Sequence, residues 1–178
     1  MGPNLVLSPS SRSSLKVFAG VSLIMSLFGP PAVAQAQAEA AVKPFISMSG
    51  SWQGTGIITL GTGDKERIRC RVTYAVDDPG IRFEQELRCA SDSYKFELSS
   101  DISYVNGYLT GRWNETVSRT SGTISGRALP GRIEALAETS GFAATLTMIT
   151  RGDSQLVQIE SKSPDISDVS ISLRRSSR

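Results

Sequence analysis

The chain has 178 residues, with 19 Lys+Arg against 17 Asp+Glu and no His. A hydrophobic fraction of 39% beside 20% charged residues fits one globular domain and not a disordered chain. The missing His excludes His general bases, Ser-His and Cys-His nucleophile systems and His-ligated metals, and two Cys are too few for a four-thiolate metal site.

Arg12 and Lys16 precede an apolar run, Val17 to Phe28, which Gly29-Pro30-Pro31 ends. The run is short for a membrane span, and Ala32-Val33-Ala34 and Ala34-Gln35-Ala36 are small-x-small cleavage sites. Residues 1–36 are therefore expected to be a signal peptide cleaved near Ala34 or Ala36, giving a periplasmic or secreted protein; an uncleaved anchor is the alternative. Residues 37–49 are expected to be a flexible leader and 50–175 the folded domain. Loss of 1–36 removes two cations and no anion, leaving basic and acidic side chains equal in number. A nucleic-acid binder should keep a basic footprint, so no nucleic-acid partner is expected. No later run is apolar enough for a membrane span in the mature chain.

From Ser51 the dominant period is two. Ile68, Cys70, Val72, Tyr74 and Val76 share one strand face, and Arg67, Arg69, Arg71 and Thr73 the other. After the turn signal Asp78-Pro79-Gly80, Phe83, Gln85, Leu87 and Cys89 continue the first face. Export favours a Cys70–Cys89 disulfide over free thiols. Pairing those two residues sets Val72 against Leu87, Tyr74 against Gln85 and Val76 against Phe83. Asn106-Gly107 is a hairpin signal that pairs Tyr104 with Leu109, Ser100 with Trp113 and Phe96 with Val117. Pro130-Gly131, Ser140-Gly141 and Gly152-Asp153 extend the meander, always joining apolar face to apolar face.

The expectation is an all-β fold: a single antiparallel up-and-down β-barrel of about ten strands with one internal disulfide, closed because an open meander leaves two bare edges. A two-sheet sandwich is the alternative. Charges such as Arg69, Glu86 and Lys95 on the outer face keep the apolar face inward.

Large inner residues from the early strands and small ones from the middle strands allow either a filled core or a lined cavity. Two polar groups fall on the apolar face, Gln85 and Glu115. A buried carboxylate needs partners, so Glu115 either stays wet at a strand end or anchors a ligand's polar end, with Trp113 and Phe96 against its body. The candidate ligand-binding residues are Trp113, Glu115, Phe96, Tyr74 and Gln85. Arg67, Arg69 and Arg71 form a cationic row that Glu84, Glu86 and Asp92 on the neighbouring strand are expected to offset. No constellation for catalysis, metal or cofactor appears, and the chain is expected not to be an enzyme.

Gly50-Ser51-Trp52 resembles the G-x-W start of the calycin superfamily, the lipocalins and avidins. The resemblance implies that Trp52 closes one barrel end with a late-strand cation packed on it, Arg174 or its neighbour Arg175, with Arg174 preferred. Leu109 to Trp113 is similar to an avidin strand, though the biotin ligands do not align. Small periplasmic metalloprotease inhibitors are similar in outline but have an inhibitory trunk without a match here. The Glu-Arg-Ile-Arg-Cys and Leu-Arg-Cys-Ala-Ser segments and Gly111 to Glu115 resemble a group of uncharacterised secreted proteins of Gram-negative bacteria. Two functions follow: a carrier of a small hydrophobic molecule, or a structural or protein-binding envelope factor such as a protease inhibitor.

Overall fold

The computed structural model describes residues 42–177. The expected signal peptide lies outside them. Ten strands follow in order: β1 (Gly50–Leu60), β2 (Lys65–Val76), β3 (Arg82–Ala90), β4 (Lys95–Val105), β5 (Tyr108–Glu115), β6 (Thr120–Leu129), β7 (Arg132–Thr139), β8 (Phe142–Arg151), β9 (Ser154–Ser161) and β10 (Ile166–Arg175). Each pairs antiparallel with its sequence neighbour, and β1 pairs with β10 to close the barrel. Closure leaves no free sheet edge, which settles barrel against sandwich.

Period-two patterning sets the register. β2 alternates buried Ile68, Cys70, Val72 and Tyr74 with exposed Arg67, Arg69, Arg71 and Thr73. Cys70 faces Cys89 in the β2–β3 ladder, and the two form a disulfide with Cα atoms 4.1 Å apart. Closing a loop of that length stabilises the fold by about 3 kcal/mol in the chain-entropy view. At the β4–β5 hairpin Asn106 (φ 49°) and Gly107 (φ 90°) both take left-handed backbone, the geometry that a two-residue turn needs to match strand twist.

The Phe96–Val117 pair does not form. β5 stops at Glu115, whose carboxylate accepts the N–H groups of Val117 and Ser118 and folds the chain back; Val117 is exposed.

The segment expected to be a leader is part of the core. Pro44, Phe45 and Met48 are buried around a short 3-10 turn, Ile46–Met48. Phe45 meets Phe83 edge-on with centroids 4.7 Å apart, and its N–H donates to the Gly80 carbonyl. The Trp52 indole N–H donates to the Met48 carbonyl at 2.8 Å. Two large side chains three residues apart, packed on the barrel end, outweigh the entropy of ordering one turn. Residues 37–41 lie outside the described part.

Arg175, not Arg174, completes this end. Its guanidinium lies 4.1 Å from the Trp52 ring centroid and donates to the carbonyls of Ser47 (2.7 Å) and Ser49, while its Nε donates to Asp153. Register decides between the two: Trp52 pairs with Arg175, whereas Arg174 pairs with Gln53 and faces outward.

Candidate functional site

Burial along the inner wall is uneven. Trp52, Ile58, Ile68, Tyr74, Phe83, Ile102, Leu109 and Met148 are buried. Leu87, Phe96, Leu98, Ile124, Leu146 and Ile159 keep the same inward parity yet stay half-buried, Leu87 beside buried Val72 and Ile159 beside buried Val169 in their ladders.

A polar row crosses the inner wall. Tyr74, Gln85, Ser100, Trp113 and Gly122 are successive partners on β2 to β6. The bulk of Trp113 is accommodated because its partner lacks a side chain: a Cβ on Gly122 would come within 2.9 Å of the indole. Phe142 meets the same ring from across the barrel, centroids 6.2 Å apart. The Trp113 indole N–H is fully buried and has no acceptor, alone in this respect among the described residues. A buried donor without an acceptor costs about 1–3 kcal/mol, which a ligand or water oxygen would recover.

Tyr74 is committed elsewhere. Its hydroxyl donates to Gln155 Oε1 at 2.9 Å, and Gln155 Nε2 donates to Thr150 Oγ1 at 3.0 Å, forming a chain of buried polar groups. Burial raises the phenol pKa above its ordinary value against the lowering effect of Gln155. Gln155 and Thr150 were not singled out from the sequence, although the parity of Val157 already points Gln155 inward.

Glu115 is a turn cap. Both carboxylate oxygens are engaged by four donors: the N–H groups of Glu97 (2.9 Å), Val117 (3.1 Å) and Ser118 (2.6 Å) and the Ser118 hydroxyl (2.6 Å). Burial pushes its pKa up, but the Ser118 hydroxyl and the three N–H groups outweigh it and hold the carboxyl below the usual carboxylate range. Its ionised form is thus stabilised locally without a ligand cation.

Of the candidate residues, Tyr74, Gln85 and Trp113 share one row, with Glu115 one inward row and Phe96 two inward rows nearer the β3–β4 turn. Phe96 stacks on Tyr94 at 6.2 Å there. Gln85 stays half-buried on the inner wall. Among the described residues no group of three or more His, Cys, Asp or Glu is placed to hold a metal ion. No helix among them is long and apolar enough to cross a membrane.

No protein-family model matches the chain, and no curated protein matches it. Among solved structures it is similar to the S-type phycobiliprotein lyase CPES from Guillardia theta, at TM-score 0.50 and 13% identity, over 75% of this chain and 92% of that one. That likeness is one of barrel fold. The expectation that the chain is not an enzyme is corrected by the same finding, because the matched barrel is named as a lyase. The reasoning behind it reached too far: lack of His excludes His-dependent chemistry, not catalysis. At this identity the likeness carries the fold alone.

Proposed function

We propose that this is an exported barrel that takes a small apolar or amphipathic molecule against its half-buried inner wall. The uneven burial of the inner wall carries the reading: inward apolar side chains on β3, β4, β6, β8 and β9 stay half-buried, beside a buried indole N–H that lacks an acceptor. A mostly apolar cup with one or two oriented polar groups is the usual composition of a small-molecule site. The Trp113 N–H and the Gln85 amide would fix a carbonyl or carboxylate of the ligand, and Leu87, Leu98, Ile124 and Leu146 would hold its body. The basic residues, apolar run and small-x-small sites at the N-terminus support export.

The test is uptake of cis-parinaric acid by the purified barrel, with an organic extract of the same protein read by mass spectrometry. Saturable uptake that weakens in Trp113→Phe and is blocked by Leu146→Trp is the expected result. Absence of both saturable uptake and any extracted molecule overturns the proposal.

A second reading, a protein-binding envelope factor, rests on a different observation. Val42, Ile46, Val105, Tyr108 and Leu129 are exposed in the segments around the plugged end. An exposed apolar collar of this kind fits a protein contact. Site-specific photo-crosslinking from position 105 or 129 in cells distinguishes it: a discrete adduct supports it and none removes it.

A further inference from the structure

The outward-facing residues of β1–β4 line a groove of about 480 Å³. Two ladder rows form it: Gln53, Arg71, Arg88 and Glu97, then Thr55, Arg69, Ala90 and Lys95. Register does not set Glu84 or Glu86 opposite Arg69 or Arg71. Arg71 faces Arg88 rather than a carboxylate, while Glu84 and Glu86 lie further along β3 against Ala75 and Thr73. Like charges directly opposite on one sheet face destabilise it. The groove's one carboxylate, Glu97, is engaged by Lys95 at 3.3 Å. Among the described residues no ion pair holds Arg69, Arg71 or Arg88.

Arg69 stands between Thr55 and Ala90 in one row, and Arg71 and Arg88 stand side by side in the next. Residues two apart on a strand face stand about 7 Å from each other, and directly opposed residues about 5 Å. That is the reach from which long arginines converge on one tetrahedral anion, each through a planar fork of N–H donors. Their spacing is also fixed. Cys70 lies between Arg69 and Arg71 in the chain, and Cys89 between Arg88 and Ala90, so the disulfide ties the two arginine-bearing strands on the inner face directly beneath the groove. A site held at constant spacing by a covalent tie loses less freedom on binding.

We propose that this groove binds a phosphate group, free or carried on a lipid headgroup, through Arg69, Arg71 and Arg88. Calorimetric titration of the folded protein with inorganic pyrophosphate at low salt tests the free form; flotation with phosphatidylcholine vesicles, with and without phosphatidylglycerol, tests the lipid form. Arg71→Gln and Arg88→Gln remove exposed groups and should weaken binding about tenfold each. Arg67→Gln, which faces Ile57 outside the groove, removes the same net charge and should leave binding within about twofold. A folded Cys70→Ser/Cys89→Ser double variant should also bind more weakly. Binding to neither probe overturns the proposal, as does an Arg67→Gln loss equal to that of Arg71→Gln, which would mean diffuse charge attraction.

Discussion

The guanidinium of Arg175 lies on the indole of Trp52, 4.1 Å from the ring centroid, and ties the last strand to the carbonyls of Ser47 and Ser49 ahead of the first. One side chain thereby joins β10, β1 and the 3-10 turn that plugs the barrel. Removing it exposes the indole face and leaves the two carbonyls without that donor. Arg175→Ala should cost about 2–3 kcal/mol, and Arg174→Ala, which alters an outward side chain, less than about 0.5 kcal/mol. Urea unfolding of the two variants side by side gives the comparison.

Phe45 should be as costly to remove as a central core residue, although it precedes the first strand. It is fully buried against Phe83 and Tyr104. Phe45→Ala should lose about 3–5 kcal/mol and open the plugged end to solvent. Thermal unfolding reads the first effect, and accelerated amide exchange at Met48 and Trp52 the second.

Glu115 makes stability depend on pH in a predictable direction. Its folded pKa lies below its ordinary value of 4.5, so its contribution is fully present above that value and is lost as pH falls through the folded pKa. Glu115→Gln puts an amide where a four-donor acceptor stood and should cost about 1–3 kcal/mol at neutral pH. The gap between variant and parent should shrink below pH 4.5, a convergence visible in denaturant midpoints measured across the acid range. A gap constant with pH would remove the titration argument.

Tyr74 should resist ionisation. The chain has four tyrosines, and burial raises this one above its ordinary value. Alkaline titration by phenolate absorbance should leave one tyrosine un-ionised until the protein unfolds, and that missing step should vanish in Tyr74→Phe. The variant strands the Gln155 oxygen without its donor, at a cost of about 1–3 kcal/mol.

Alternation and turn chemistry carried most of the architecture from the sequence. A strand read one residue out of phase would have exposed its whole apolar face, so the pairs Val72–Leu87, Ser100–Trp113, Ala137–Ala144 and Met148–Val157 follow from parity once each turn is recognised. What parity does not encode is an end effect. Phe45 and Met48 sit three apart in a single turn, too short for a period to show. Arg174 and Arg175 differ only in which lands on the indole's row. At the candidate site the sequence placed Trp113 and Gln85 on the inner wall, but Glu115 owes its partners to Ser118 and to a turn that the expected Phe96–Val117 pair had read as strand. Leu87 and Leu146 share their inward parity with buried Val72 and Met148, so their half-burial has no local signature.

The β1–β10 ladder is the seam of the cylinder, joining its first strand to its last. Every other ladder links neighbours in sequence and can zip as soon as both strands have emerged from a ribosome or a translocation pore. The seam alone must wait. Until Arg175 arrives, β1 remains a sticky half-finished edge, open to strands of other nascent copies. Moving the break, by joining the two ends and cutting at Asn106–Gly107, would shift that vulnerable interval to a different pair of strands while preserving the same finished wall.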